Sequence, residues 1–236
     1  MGNTIYSFSS ISALVKGDYY PNFNCKEILS KGNFGLGTFE GLNGELILIK
    51  NNVYQLVDNT NITLCEGDEK IPFACVCDFD YRNFDVKFSN INKKELEEKL
   101  LSLIDSKNFV QAFYGKVKFK KIFSRTVRKQ EKPYKEMAEI INSQSELEIE
   151  NINAELVAFY TPSIFSKIGV EGFHWHYLST DKKYGGHVFD MEIDEIELVI
   201  NSFSNFAYFS PNSQEFKTMN LDDDSIKESI EKVEKK

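Results

Sequence analysis

No apolar stretch in this 236-residue chain approaches the ~20 residues that a helix needs to cross a bilayer. The amino terminus, MGNTIYSFSS, has no basic segment leading into an apolar run and does not read as a secretion signal. Tyr6 stands where a myristoylation pattern requires Ser or Thr. Cations are in the minority: 28 Lys and Arg against 36 Asp and Glu leave a net charge of −8, which argues against a nucleic-acid or anionic-membrane partner. Cysteine is sparse. A chain this long can bury a sizeable core without disulfide staples, so Cys25, Cys65, Cys75 and Cys77 read as reduced thiols and the protein as cytoplasmic. The Cys75 and Cys77 spacing lacks a second cysteine pair to complete a tetrahedral metal set, which leaves core packing as its reading.

What is abundant is apolar and aromatic. Hydrophobic residues make up 42% of the chain and charged residues 27%, with 20 Phe and 11 Tyr, a composition that folds and favours strands. There is no internal repeat and no low-complexity linker. NCKEILSKG (24–32) has the marks of a short helix, Asn24 capping its start and Gly32 just past its end. Residues 33–56 read as a β-meander whose first turn is Asn43-Gly44, with Glu45, Ile47 and Ile49 on one face of the second strand. Residues 92–107 carry Leu96, Leu100, Leu103 and Ile104 at helical spacing. In residues 113–127, Val117, Phe119 and Phe123 alternate with Lys116, Lys118 and Lys120, and an unbulged strand puts Arg125 on the Phe face. A guanidinium that prolongs an apolar face needs a partner.

KPYKEMAEIINSQ (132–144) suits a helix with Pro133 in its first turn, and strand-like segments follow at 147–160, 172–178 and 187–193. Residues 222–236 form a terminal helix opening on three aspartates, with Ile226, Ile230 and Val233 as its stripe. Glu234 falls at the edge of that stripe and Glu231 on the opposite side. The fold class is mixed α/β and sheet-rich.

All three histidines, His174, His176 and His187, lie within the 17 residues GFHWHYLSTDKKYGGHV (172–188). On a strand His174 and His176 share a face, about 6.6 Å apart along the backbone, with Phe173, Trp175 and Tyr177 on the other. The connector STDKKYGG is rich in turn formers, so a returning strand can bring His187 alongside. Three neutral imidazoles without a fourth protein ligand describe a metal site with an open position, zinc by default and another divalent transition metal as an alternative. The same rings also fit satisfied polar groups or a pH-sensitive cluster. From residues alone, the reading reaches a metal-assisted lyase or hydrolase and a noncatalytic metal-binding or sensing domain.

Three stretches, NFGLGTFEGLNGELILI, SRTVRKQEKPY and GFHWHYLSTDKKYGGHV, resemble in order and spacing the acetolactate decarboxylase family, and the resemblance runs from about Tyr6 to Glu234. It implies one unit over 1–236, built from two sheet-containing lobes at about 1–132 and 133–236, with the metal site on the second lobe and the helix near 133–143 as the passage. It implies zinc on His174, His176 and His187, no organic cofactor, a homodimer, and conversion of 2-acetolactate to acetoin and CO2. The family's active-site glutamate, threonine and arginine fall on Glu45, Thr38 and Arg125. A further glutamate near the carboxyl terminus falls on Glu234, with Glu231 as the competitor.

The substrate's chemistry explains why these types would serve. Losing CO2 leaves an electron pair that needs a sink, the adjacent ketone, and zinc would polarise ketone and hydroxyl oxygens. Arg125 offers a bidentate donor for the carboxylate, and Glu45 or Glu234 a proton for the new carbanion centre.

Overall fold

A computed structural model of the chain describes residues 3–223 and 225–234, with Ser143 described through its backbone alone. The elements are β1 (Thr4–Phe8), α1 (Ile11–Val15), β2 (Phe23–Asn24), α2 (Cys25–Leu29), β3 (Phe34–Thr38), β4 (Glu45–Ile49), β5 (Asn52–Val57) and β6 (Asn61–Leu64). Next come β7 (Lys70–Ile71), β8 (Phe73–Cys77), β9 (Val86–Asn92), α3 (Lys93–Leu103), β10 (Val110–Thr126), α4 (Met137–Ile140) and β11 (Ser145–Thr161). The chain closes with β12 (Gly172–Ser179), β13 (Gly185–Phe203), β14 (Asn205–Phe209), α5 (Gln214–Thr218) and α6 (Ser225–Glu234). No helix among the described residues is long and apolar enough to cross a membrane.

Two sheets dominate. The first has the order β14-β1-β8-β3-β4-β5-β6, and the second β10-β11-β12-β13-β9 with β10 also paired to β13. That extra pairing closes β10, β11, β12 and β13 into a ring. Alternate side chains of the ring strands, among them Phe113, Phe119, Leu156, Trp175 and Tyr177, fill its interior together with Leu96 and Leu100 of α3. Trp175 Nε1 donates to Glu97 Oε1 at 2.9 Å, tying the helix to β12. The outward side chains Ala112, Tyr114, Val157, Phe159 and Leu178 pack on Ile5, Phe34, Leu36, Ile47 and Leu56 of the first sheet. Burial on both faces explains why the LILI that follows Glu45 in β4 is a continuous apolar run. Leu46 and Leu48 face the layer that holds Cys25 and Ile28 of α2, while Ile47 and Ile49 face the second sheet. At one end, α1, α4 and α6 gather Leu14, Val15, Met137, Ile226, Ile230 and Val233 into a separate cluster.

Several local expectations change. The sheets do not divide at 132/133: β9 and β10 belong to the second sheet, and β14 returns to lie parallel to β1 in the first. α2 starts at an Asn24 capping box but ends at Leu29. Gly32 serves a close approach instead, since a Cβ there would lie 2.1 Å from the Cys77 carbonyl oxygen. β3 and β4 are not joined by a tight Asn43-Gly44 turn. Thr38 pairs with Glu45, and the six residues between include a 3-10 turn over Glu40–Leu42. Asn43 has φ −73°, where a type I′ turn needs a positive value. Tertiary bonds hold this loop open, with Gly41 N donating to the Tyr19 carbonyl and Gln130 N to that of Gly41.

Pro133 lies outside α4, which starts only at Met137 after an extended Glu136, and Tyr134 packs against the rings of Tyr19 and Tyr20. In α3, Leu96 and Leu100 are buried but Leu103 is half exposed. β10 is bulged. Phe119 and Ile122 both point into the ring, so the alternation breaks between them, where the pairing with β13 also shifts register. Phe123 and Arg125 therefore leave the face of Val117 and Phe119 and turn towards the first sheet. In the terminal helix Ile226, Ile230 and Val233 are buried as a stripe, while Asp224, Lys235 and Lys236 lie outside the described residues.

The sheets approach closely where β13 begins. A Cβ on Gly185 would lie 1.9 Å from Leu56 Cδ2 and 2.8 Å from the Tyr177 carbonyl oxygen. Gly185→Ala must displace Leu56 or part the strands, and we expect it to lower stability by about 1–3 kcal/mol. Urea denaturation measures this; a midpoint equal to that of the unsubstituted chain would show that the contact carries no constraint.

Candidate metal centre and active site

Strand register assembles the site. His176 pairs with His187 across β12 and β13, and His187 pairs with Arg125 across β13 and β10. Side chains of directly paired residues share a face, so these three form one row across the ring's outer surface, with His174 two residues along β12. The bulge in β10 is what puts Arg125 in that row. On the facing sheet Thr38 and Glu45 are directly paired across β3 and β4 and point to the same space. α6 adds Glu234 from the open end. The three histidines, Thr38, Glu45, Arg125 and Glu234 thus line one cavity, whose remaining wall is apolar: Ile11, Leu14, Leu42, Phe73, Val127 and Met137.

One potential ligand atom from each of His174, His176 and His187 lies within 4.8 Å of the others. His174 Nε2 and His187 Nδ1 are 3.1 Å apart. Two imidazole nitrogens on a tetrahedral zinc, each bonded at about 2.0–2.1 Å, stand roughly 3.3 Å apart. His176 Nδ1 lies 3.1 Å from the Leu46 carbonyl oxygen, which only accepts, so the ring carries its proton there. Its Nε2 is left as a bare lone pair, buried and without a hydrogen-bond partner among the described residues. A ligating histidine held through its other nitrogen is the usual support of a metal centre. Burial, with the positive charge of Arg125 added, pushes His174 down to about 3. His176 and His187 lie well below the ordinary histidine value, burial being again the largest cause. Three neutral rings meet the first requirement for binding a dication.

Carboxyl groups flank the rings. Glu45 Oε2 is 3.7 Å from His176 Nε2, and Glu234 Oε2 is 3.5 Å from His174 Nε2 and 3.7 Å from His187 Nδ1. Arg125 lies between them, Nη1 4.0 Å from Glu45 Oε1 and Nη2 3.5 Å from Glu234 Oε1. Nη2 also donates to the Val233 carbonyl at 3.2 Å, and the guanidinium lies 5.4 Å from the centre of the Phe189 ring. Burial raises Glu45 to about 7 against the lowering influence of Arg125, with Glu234 adding to the rise. Burial likewise raises Glu234, again opposed by Arg125.

The structure places Glu234 in the site, its side chain 6% exposed, and leaves Glu231 on the solvent side of α6. Thr38 Oγ1 donates to the Gly44 carbonyl at 2.8 Å, so its proton is committed to the β3–β4 loop and only its lone pairs face the cavity. Two contributions have no counterpart in the sequence reading. The Leu46 carbonyl that orients His176 is backbone, which any residue type would supply. The apolar wall comes from short segments whose meeting depends on tertiary packing, though buried aliphatics in ISALV and in MAEI hint at it.

A family model described as alpha-acetolactate decarboxylase matches residues 5–223. The alpha-acetolactate decarboxylase of Bacillus subtilis is 32% identical over 233 residues, covering 98% of this chain and 90% of that protein. That of Methanosarcina mazei is 33% identical over 233 residues, covering 99% and 81%. The crystal structure of the Bacillus subtilis enzyme superposes with a TM-score of 0.94 at 31% identity, covering 99% of this chain and all of that one. By this match along almost its full length, the chain belongs to the alpha-acetolactate decarboxylase family, whose members are carboxy-lyases.

Proposed function

We propose that this chain decarboxylates 2-acetolactate to acetoin and CO2 with a divalent transition metal, zinc in the first instance, held by His174, His176 and His187. Family membership supports the reaction. The observation that carries the metal is the convergence of one nitrogen from each of the three buried rings, with His176 fixed in the tautomer that leaves its Nε2 free to ligate. A dication bound there supplies a Lewis acid for the ketone and hydroxyl oxygens of the substrate. No organic cofactor is required, because the substrate's own ketone accepts the electron pair.

The chain's residues do the rest. Arg125 turns its planar fork to the carboxylate and orients the bond that breaks. Its Nε has no hydrogen-bond partner among the described residues and its two carboxylate neighbours stand at 3.5 and 4.0 Å, which leaves donors available. Holding the carboxylate too tightly would stabilise the ground state as much as the transition state, so Arg125 serves mainly for orientation and charge balance. Thr38 and the apolar wall seat the substrate's alkyl groups and exclude water from the reacting carbon. Once the carbon–carbon bond has broken and CO2 departs, that carbon takes a proton from a carboxyl group of Glu45 or Glu234. Burial favours the protonated form of both, and delivery from one side makes the acetoin chiral. The proposal extends to a cytoplasmic homodimer. Family resemblance supports the pairing, and light scattering on the purified protein should return twice the chain mass.

Two experiments test the reaction and its parts. With racemic acetolactate, the purified protein should release acetoin and CO2. Exhaustive chelation should abolish release, zinc should restore it, and His176→Ala should not recover. Turnover that survives complete metal removal is incompatible with the reading, and absence of acetoin from the metal-replete protein would favour a noncatalytic metal-binding role. Arg125→Ala should keep the metal at the histidine centre but lose turnover by roughly 10²-fold or more, with Arg125→Lys recovering only part because an ammonium lacks the fork. Unimpaired kcat/KM in Arg125→Ala would remove the arginine from the mechanism.

A further inference from the structure

A second set of soft ligands lies away from the histidines, where the loop 65–69 folds over the start of α2. Cys25 is the first residue of α2 and is fully buried; Cys65 follows β6 and Glu69 precedes β7, both half-buried. The two sulfurs and one carboxylate oxygen lie within 4.8 Å of one another. Backbone bonds bring them together: Cys25 N donates to the Glu69 carbonyl at 3.1 Å, Lys26 N to that of Gly67 at 3.1 Å, and Cys65 N to that of Val53 at 2.9 Å. The Glu69 carboxylate is aimed by two donors of its own loop, Glu66 N at 2.7 Å and Gly67 N at 2.8 Å. The ammonium of Lys26 is turned to Asp68 at 2.7 Å and does not neutralise the cluster.

We propose that Cys25, Cys65 and Glu69 bind a thiophilic dication, Zn²⁺ or Cd²⁺, as a second metal site that fastens the loop 65–69 to α2. Two thiolates and a carboxylate are a ligand set that zinc accepts, and the soft sulfurs select it over Mg²⁺ or Ca²⁺. With bonds of about 2.0–2.3 Å a tetrahedral zinc spaces its ligand atoms by roughly 3.5–3.8 Å, so the three groups need close by about an ångström at most. The half-buried positions of Cys65 and Glu69 leave a side from which the ion enters and where water takes the fourth place. Binding displaces the two thiol protons to solvent, and no electron is transferred. This site stands apart from the proposed decarboxylation, since none of its residues lines the histidine cavity.

Cobalt tests it, because Co²⁺ bound by thiolate absorbs through sulfur-to-metal charge transfer in the near ultraviolet, whereas Co²⁺ on three imidazoles does not. The full-length chain, metal-depleted and kept reduced, is titrated with Co²⁺ and then with Zn²⁺ in competition. The charge-transfer band should appear in the unsubstituted chain and persist in His176→Ala, where the histidine centre is dismantled. It should vanish in Cys65→Ser, a half-buried change chosen because replacing fully buried Cys25 could disturb folding. Glu69→Gln should retain the band but weaken Zn²⁺ binding by about tenfold or more. A chain without the band, a band that survives Cys65→Ser and so does not need that thiol, or recovery of Cys25 and Cys65 as a disulfide would each overturn the proposal.

Discussion

Everything in the active centre depends on a short stretch of strand pairing. β12 and β13 are joined by three residue pairs, His176 with His187, Tyr177 with Gly186 and Leu178 with Gly185. Those pairs close the second sheet into a ring and set the imidazoles side by side. The glycines make the closure possible: at Gly185 and Gly186 a side chain would strike Leu56, the Tyr177 carbonyl or the Arg125 carbonyl. Packing and chemistry are therefore the same constraint here. The contact that seats one sheet on the other also delivers His187 to its neighbours.

The electrostatics follow from that closeness. A site this dry disfavours every charge, and the groups divide accordingly. The imidazoles stay neutral and the two glutamates are driven towards their protonated forms, with the Arg125 guanidinium between them. On the proposed reading, neutral rings suit ligation and protonated carboxyls suit proton donation, so burial would favour both roles. Arg125 opposes the rise of both glutamates, which keeps them from becoming inert acids.

Much of this was legible in the residues, for reasons that can be named. The histidine row could be read because strand alternation fixes which side chains share a face and a glycine-rich connector marks the return. Glu234 could be separated from Glu231 because helix periodicity distinguishes the edge of a stripe from its far side. Arg125 was singled out for continuing an apolar face, yet the face itself was misassigned. A bulge within the run of lysines at 120–121 leaves no compositional mark, and it alone turns Phe123 and Arg125 outward. The β3–β4 connection and the shortened α4 departed from local propensity because distant carbonyls and tyrosines bind those loops. The division into sheets was hidden for a similar reason, since the pairing of β1 with β14 joins segments about two hundred residues apart.

That pairing has a bearing on how the centre comes together. The second sheet is one uninterrupted span, from Val86 to Phe203, nested between β8 and the strand that completes the first sheet. The imidazole trio belongs wholly to this inner span, whereas the carboxyl groups arrive from outside it, on β4 and α6. On the proposed reading, holding an ion and using it would thus draw largely on different parts of the molecule, although the carbonyl that fixes His176 comes from β4. If α6 alone lifts away, the proposed metal ligands would keep their places while one of the two candidate proton donors is lost.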